Sequence, residues 1–243
     1  MNLTTIAEIS TLQTHSSETT QSLPIGAYMV DRVGRGYRYC KNSTVALVAG
    51  NVIQAVAQTT THQNLTATAN SIGDTSAVAT LGALAAAANL YAEGIFQVDT
   101  TPDIGSSYGI ASHAAVLSGG VITATLYSDD PIVVAWTSST RVGLWQNAYK
   151  NVIQSPTTAT GIIVGVAPFA IPASTTTVDY FGWIQTHGPA SVLVAGTPAV
   201  AQGVGYSATA GACAINSSTL YMIGYIGFSG QAGLCQIVML TID

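Results

Sequence analysis

The chain has 243 residues, a net charge of −5 and only 17 Asp, Glu, Lys or Arg side chains, 7% of its length, where ordinary soluble proteins carry about 25%. With 48% apolar residues it can bury a core, yet no apolar run reaches the ~18 residues of a membrane-spanning helix. Six basic residues do not build the clustered groove that nucleic acid requires, and three scattered cysteines, Cys40, Cys213 and Cys235, read as reduced, buried thiols and not as a disulfide framework or a zinc site.

Residues 1–23, "MNLTTIAEISTLQTHSSETTQSL", form a polar Ser/Thr/Gln segment with a weak apolar start. It lacks the pattern of a core-forming element and reads as an extended arm, disordered or ordered only against a partner. No basic leader precedes a hydrophobic stretch, so the expected product is soluble and made in a cytoplasm. From Pro24 the punctuation changes. "GAYMVDRVGRGYRYCKN" alternates and then turns, and "STVALVAGNVIQAVAQ" holds two short apolar runs divided by a Gly-Asn turn. The segment "TLGALAAAANLYAEG", residues 80–94, is alanine-rich; it fits a helix of about three turns, and alanine also suits tightly packed β contacts. Short strands between Gly, Asn, Asp and Pro then continue through "GIASHAAVL", "GGVITATLYSDD", "RVGLWQ", "GIIVGVAPFAIPA" and "LCQIVMLTID". This spacing predicts a mainly β protein, a short-strand β-barrel or sandwich.

The phrase "NVIQ" occurs at residues 51–54 and again at 151–154. The two copies bracket a segment with its own strand-and-turn units. The simplest layout is a discontinuous domain, residues 24–54 plus 151–243, carrying an inserted β domain at 55–150. The alternative is two consecutive domains divided near residue 150.

Candidate chemistry is sparse. "WIQTHGPASVL" supplies His187 and Ser191, with Asp179 just upstream, but no G-x-S-x-G places a serine on a strained turn. In a strand, Phe181, Trp183 and Gln185 point one way and Gly182, Ile184 and Thr186 the other; "HGPA" then reads as a turn capped by His187. His15, His62, His113 and His187 form no H-x-x-x-H or H-x-H pair. Asp129 and Asp130 read as a charged turn, and Asp99 and Asp103 lack calcium-loop spacing and read as a solvated turn. No catalytic residue, metal site or cofactor is expected.

Charge density is the local exception. Arg32, Arg35, Arg38 and Lys41 are four of the six basic residues, with Tyr37 and Tyr39 between them. A hairpin puts both tyrosines on one face and Arg38 on the other. Such a strip suits anchoring on an acidic partner, since Arg and Tyr are favoured contact residues. The plainer reading is that these cations pair with acids of the same chain. Lys, Glu and Asp are depleted from association surfaces, so the scarcity of charge as a whole describes a surface made to be covered; a compositional habit of one genome is the competing explanation.

The segments "IGAYMVDRVGRGYRYCKNSTVALVAGNVIQ" and "GIIVGVAPFAIPASTTTVDYFGWIQTHGPASVLVAGTPAVAQGVGYSATAGACAI" resemble tailed-bacteriophage virion proteins, the second being similar to the β-barrel of head decoration, or cement, proteins. The inserted domain and the arm have no counterpart in the compact members of that family. The resemblance implies a non-enzymatic component of the virion surface, a homo-oligomer with a trimer favoured, bound to the major capsid protein and bracing the head. Its contact residues would be Leu3, Ile6, Ile9 and Leu12 of the arm with Arg32, Arg35, Tyr37, Arg38 and Tyr39, and neither nucleic acid nor membrane would be a partner. A head-fibre or tail adhesin is the alternative, with Trp136, Trp145 and Trp183 as an exposed receptor platform. A hydrolase centred on His187 is the third reading.

Overall fold

The computed structural model describes residues 7–216, 221–228 and 230–243. One helical turn, α1 (Thr11–Thr14), is followed by β1 (Tyr28–Val30), β2 (Gly36–Asn42) and β3 (Val52–Gln54). Six strands come next: β4 (Leu65–Ala67), β5 (Ser76–Thr80), β6 (Ile95–Val98), β7 (Ser107–His113), β8 (Val121–Leu126) and β9 (Arg141–Trp145). The chain then runs through β10 (Lys150–Gln154), β11 (Ile163–Val166), β12 (Phe181–Leu193), β13 (Gly203–Tyr206), β14 (Cys213–Ile215), β15 (Met222–Phe228) and β16 (Cys235–Thr241). Among the described residues no helix is long and apolar enough to cross a membrane. The protein is mainly β, as its strand-and-turn spacing predicts. It divides into two compact units, residues 1–57 with 148–243, and residues 58–147.

The second unit is a closed antiparallel barrel in the order β4-β5-β8-β7-β6-β9. Alternation explains its interior, because every second residue of a strand faces the same side. Ala77 and Ala79 of β5, Ile122, Ala124 and Leu126 of β8, and Phe96 and Val98 of β6 all point inward. Alanines leave the volume that Phe96, Tyr108, Tyr91 and Trp136 fill, with Phe96 and Trp136 stacked at 5.6 Å. The alanine-rich segment 80–94 is therefore not a helix. It is a looped wall in which Leu81, Ala86 and Tyr91 are buried, and Ala86 bridges Val116. Asn89 and Glu93 take left-handed backbone conformations that a right-handed helix cannot accommodate. Gln58 and Gln146 exchange two hydrogen bonds of 3.1 and 3.0 Å, so the two ends of this unit meet.

In the first unit ten strands form one sheet, β1-β2-β10-β3-β11-β12-β16-β15-β13-β14, and β2 also pairs with β12. That extra pairing closes β2, β10, β3, β11 and β12 into a ring. Each strand of the ring sends one residue into a shared core: Cys40, Val152, Ile53, Val164 and Ile184. The two "NVIQ" copies lie side by side, with Ile153 opposite Gln54 and Gln154 opposite Ile53. A second core, built on Val192, Val194, Val204, Ile223, Ile226, Val238 and Leu240, lies under β12 to β16.

β12 corrects the turn expected at "HGPA". It is one strand of 13 residues, pairing through Phe181 to His187 with β2 and through His187 to Leu193 with β16. The register slips between Gln185 and His187, and Gly188 has φ +81°. The chain thus uses a bulge, where one extra residue bends and twists a strand without ending it. Before the bulge both faces are buried; after it, only one is.

Candidate interaction surface

The structure packs the described part of the arm, residues 7–23, on its own chain. Ser10 and Gln13 form a capping box at the start of α1. Ile9 donates its backbone N–H to the Val30 carbonyl at 3.0 Å, and Glu18 and Phe181 exchange backbone bonds of 3.1 and 2.9 Å. Beneath lies a cluster of Ile9, Ile25, Tyr37, Tyr39, Phe181 and Trp183. Tyr39 stacks on Phe181 and meets Trp183 edge-on, its hydroxyl accepts from the Ser22 N–H at 3.1 Å, and it contacts the Glu18 carboxylate. Burial pushes the Tyr37 and Tyr39 phenols up to about 12.

The candidate contact residues therefore fall into different environments. Leu3 and Ile6 lie outside the described residues. Ile9, Tyr37 and Tyr39 are each only 1% exposed, so in this single chain they face its own core, while Leu12 is open to solvent. The cations find acids of their own chain: Arg32 with Glu8 at 2.6 Å, Arg35 with Asp31 at 2.6 Å, Arg38 with Asp243 at 2.9 Å and Lys41 with Asp179 at 2.7 Å. The Arg32 pair is solvent-exposed and contributes little. Arg38 is the best held: its guanidinium grips both carboxylate oxygens of Asp243, donates to the Gly26 carbonyl at 2.8 Å and lies over the rings of Tyr28 and Tyr149. Spacing alone had shown the strip; which acid each cation meets depends on residues up to 205 positions away.

The hydrolase candidates do not converge. His187 and Ser191 sit four residues apart in β12, roughly 13 Å along an extended strand. Asp179 is held by Lys41, and His187 Nδ1 meets the Asp243 backbone carbonyl at 3.1 Å. Asp103, expected in a solvated turn, is 4% exposed. Its carboxylate accepts from the Ser106 and Tyr108 hydroxyls at 2.6 Å each and from the Trp136 indole N–H at 2.9 Å. Burial alone would raise its pKa; the three donors outweigh burial and hold it below the ordinary carboxylate value. Sequence reasoning missed this buried anchor, whose only local signal is a serine three residues on. No group of three metal-ligating side chains occurs among the described residues. Of the proposed aromatic platform, Trp136 and Trp183 are buried and Trp145 is 38% exposed.

An open apolar face lies on β12, β16 and β15. In β16 Cys235, Ile237, Met239 and Thr241 point outward and Gln236, Val238 and Leu240 inward. Register aligns Pro189, Met239, Tyr225 and Gly203 in one row across β12, β16, β15 and β13, with Ser191, Ile237 and Phe228 in the next. Met239, Tyr225, Ile237 and Phe228 are 43, 44, 40 and 70% exposed. None of residues 180–242 is Asp, Glu, Lys or Arg. Residues 58–147 hold six acids and one arginine, which accounts for the entire net charge of −5, and the remaining residues balance at five acids and five bases.

These features define a mainly β protein of two β units, one a closed six-strand barrel and the other a curled sheet whose strands β12 to β16 carry no Asp, Glu, Lys or Arg. Comparison of the chain with protein-family models, with curated proteins and with solved structures finds no match.

Proposed function

We propose that this chain is a non-enzymatic structural protein of the virion-decoration kind, which acts by packing against other protein subunits on the outer surface of a capsid lattice. The observation that carries the reading is the charge-free stretch 180–242, whose described strands β12 to β16 cover a core on one side and expose Tyr225, Phe228, Ile237 and Met239 on the other. A large exposed apolar patch on a soluble protein marks a contact site, and charged residues are depleted at the centre of such contacts. The resemblance of residues 161–215 to head decoration proteins, and of residues 24–54 to phage virion proteins, suggests the partner, the major capsid protein, and the location, the virion.

Co-sedimentation of the purified chain with expanded capsids tests this. The full chain is expected to pellet with shells at a fixed ratio and to raise the temperature at which they open. Failure to bind shells, or turnover of a substrate by the pure protein, overturns the reading. The arm is tested by removing residues 1–6 only, because a cut at residue 23 would strip Ile9 from the aromatic cluster and confuse unfolding with lost attachment.

A further inference from the structure

We propose that a cavity at the bulge of β12, walled by the end of α1 and the turn before β2, binds a small carboxylate that carries hydroxyls, of the class of a hexuronic acid. The cavity measures about 230 Å³ and brings together His15, Arg35, Pro168, Gln185, Pro189 and Ser191. Pockets for drug-sized ligands run to ~300–1,000 Å³, so this one suits a single ring or a short chain. Its position follows from two glycines. The bulge holds Gly188 at φ +81°, where a Cβ would stand 3.3 Å from the Arg35 Cα; the bare backbone lets the turn before β2 bring its arginine to the wall that Pro189 shares. Gly50, at φ +82°, also lines the cavity. It is pinned through its N–H to the Ala167 carbonyl and through its carbonyl to the Leu193 N–H, at 2.8 Å each. A Cβ on Gly50 would lie 2.7 Å from the Cys235 sulfur, so only glycine lets Cys235 take its place in the same wall.

The polar atoms left without partners name the ligand. Arg35 gives its Nε to Asp31 at 2.6 Å, and among the described residues no hydrogen bond engages its two terminal nitrogens. They remain as a planar donor pair of the kind that takes a carboxylate bidentately. Gln185 is only 4% exposed. Its amide nitrogen donates to the His187 and Pro189 carbonyls at 3.0 and 2.9 Å, which uses both N–H groups and leaves Oε1 as an acceptor with no donor among the described residues. A buried acceptor without a donor is costly, and a ligand hydroxyl entering the cavity satisfies it. Ser191 adds a hydroxyl that no side-chain bond occupies. His15 Nδ1 meets the Thr11 carbonyl at 2.9 Å; a carbonyl only accepts, so Nδ1 donates there and Nε2 is the open ring nitrogen. One cationic fork beside several hydroxyl partners calls for a hydroxycarboxylate, and Pro168 and Pro189 offer apolar surface to the C–H face of a ring. Asp31 already balances the Arg35 charge, so hydrogen-bond geometry holds the ligand and long-range attraction does not. That predicts a dissociation constant of about 1 mM.

The cavity carries its own probe. Cys235 lines it and is exposed, whereas Cys40 and Cys213 are buried with thiols pushed up to about 12 by burial. A small thiol reagent applied to the native full-length protein therefore reads Cys235. The experiment titrates glucuronate into the full chain by calorimetry and follows Cys235 alkylation in parallel. Glucose, which lacks the carboxylate, and propionate, which lacks the hydroxyls, are the controls. The expected result is saturable glucuronate binding that slows Cys235 alkylation several-fold, with glucose and propionate each binding about tenfold more weakly. Arg35→Gln is expected to weaken glucuronate binding about tenfold and Ser191→Ala about threefold, while Arg141→Gln in the barrel unit leaves it unchanged. Methyl glucuronide separates two sources of the same chemistry: binding equal to that of the free acid assigns a sugar at the end of a glycan, and loss of binding assigns a free sugar acid. Absence of saturable binding up to about 20 mM overturns the inference. So does binding that leaves Cys235 at its unliganded rate, a readout that needs no substitution to fold, and so does an Arg35→Gln chain of unchanged circular dichroism and unchanged affinity. Each of these failures leaves the capsid reading standing, because shell binding is measured separately.

Discussion

At the scale of single residues, Asp103 shows how this protein satisfies a buried carboxylate. Three donors converge on the carboxylate, two of them from Tyr108 and Trp136, which belong to the core of the barrel unit. The carboxylate is thus a tie between a loop and the barrel interior. Its folded pKa lies below the ordinary 3.8, so the stabilisation is present above that value and is lost as pH falls through the lower folded one. Acid is expected to loosen the barrel below about pH 4, seen as a change in tryptophan emission. Asp103→Asn removes the charge and mismatches one donor; it is expected to cost about 1–3 kcal/mol at neutral pH and to flatten the acid limb of the stability curve. A variant with unchanged urea midpoint and unchanged acid limb would mean that the tie contributes nothing.

At the scale of elements, β12 carries the first unit. Its first half faces two cores, with Phe181 and Trp183 in the aromatic cluster and Ile184 in the five-strand ring; its second half contributes Ala190 and Val192 to the core under β16. The bulge that joins the halves depends on Gly188, whose φ of +81° suits a residue without a side chain. A Cβ there would stand 3.3 Å from the Arg35 Cα. Gly188→Ala is expected to lower stability by about 1–2 kcal/mol, measured by urea titration. Ser191→Ala, three residues on and exposed, is the control, expected within ~0.5 kcal/mol of the parent. Equal midpoints for the two variants would show that the bend does not need a left-handed residue. The same strand marks a limit of local reading. Pro and Gly in "HGPA" are turn residues by composition, and only the pairing of Pro189 with Met239 and of Gly188 with Leu240 makes the strand continuous. The alternation of Phe181, Trp183 and Gln185 against Ile184 was legible, because it needs nothing beyond the period of an extended chain.

At the scale of the whole molecule, each unit has its own hydrophobic core, and the first residue of the barrel unit, Gln58, hydrogen-bonds its penultimate residue, Gln146. Residues 58–147 produced alone are therefore expected to fold and melt cooperatively, since a domain with its own core and adjoining ends loses little on excision. They should migrate as a strongly acidic protein, because they hold all of the net charge. Calorimetry of the fragment checks this, and a fragment without a melting transition rules out independent folding.

The sequence by itself determined what depends on nearest neighbours and on composition: the extended period of the strands, the turns between most of them, the scarcity of charge and the repeated "NVIQ". Tertiary structure decided what depends on residues distant in the chain. It closed the ring by laying β2 against β12, seated Arg38 on Asp243, folded residues 7–23 over Tyr39, and drew the alanines of 80–94 into a barrel wall where helix propensity would have coiled them. The physical reason is common to all four. Backbone periodicity is a local steric property, whereas strand pairing, ion pairing and burial are each decided by which distant groups remove a surface from water or satisfy a hydrogen bond, and those partners are chosen only when the whole chain is folded.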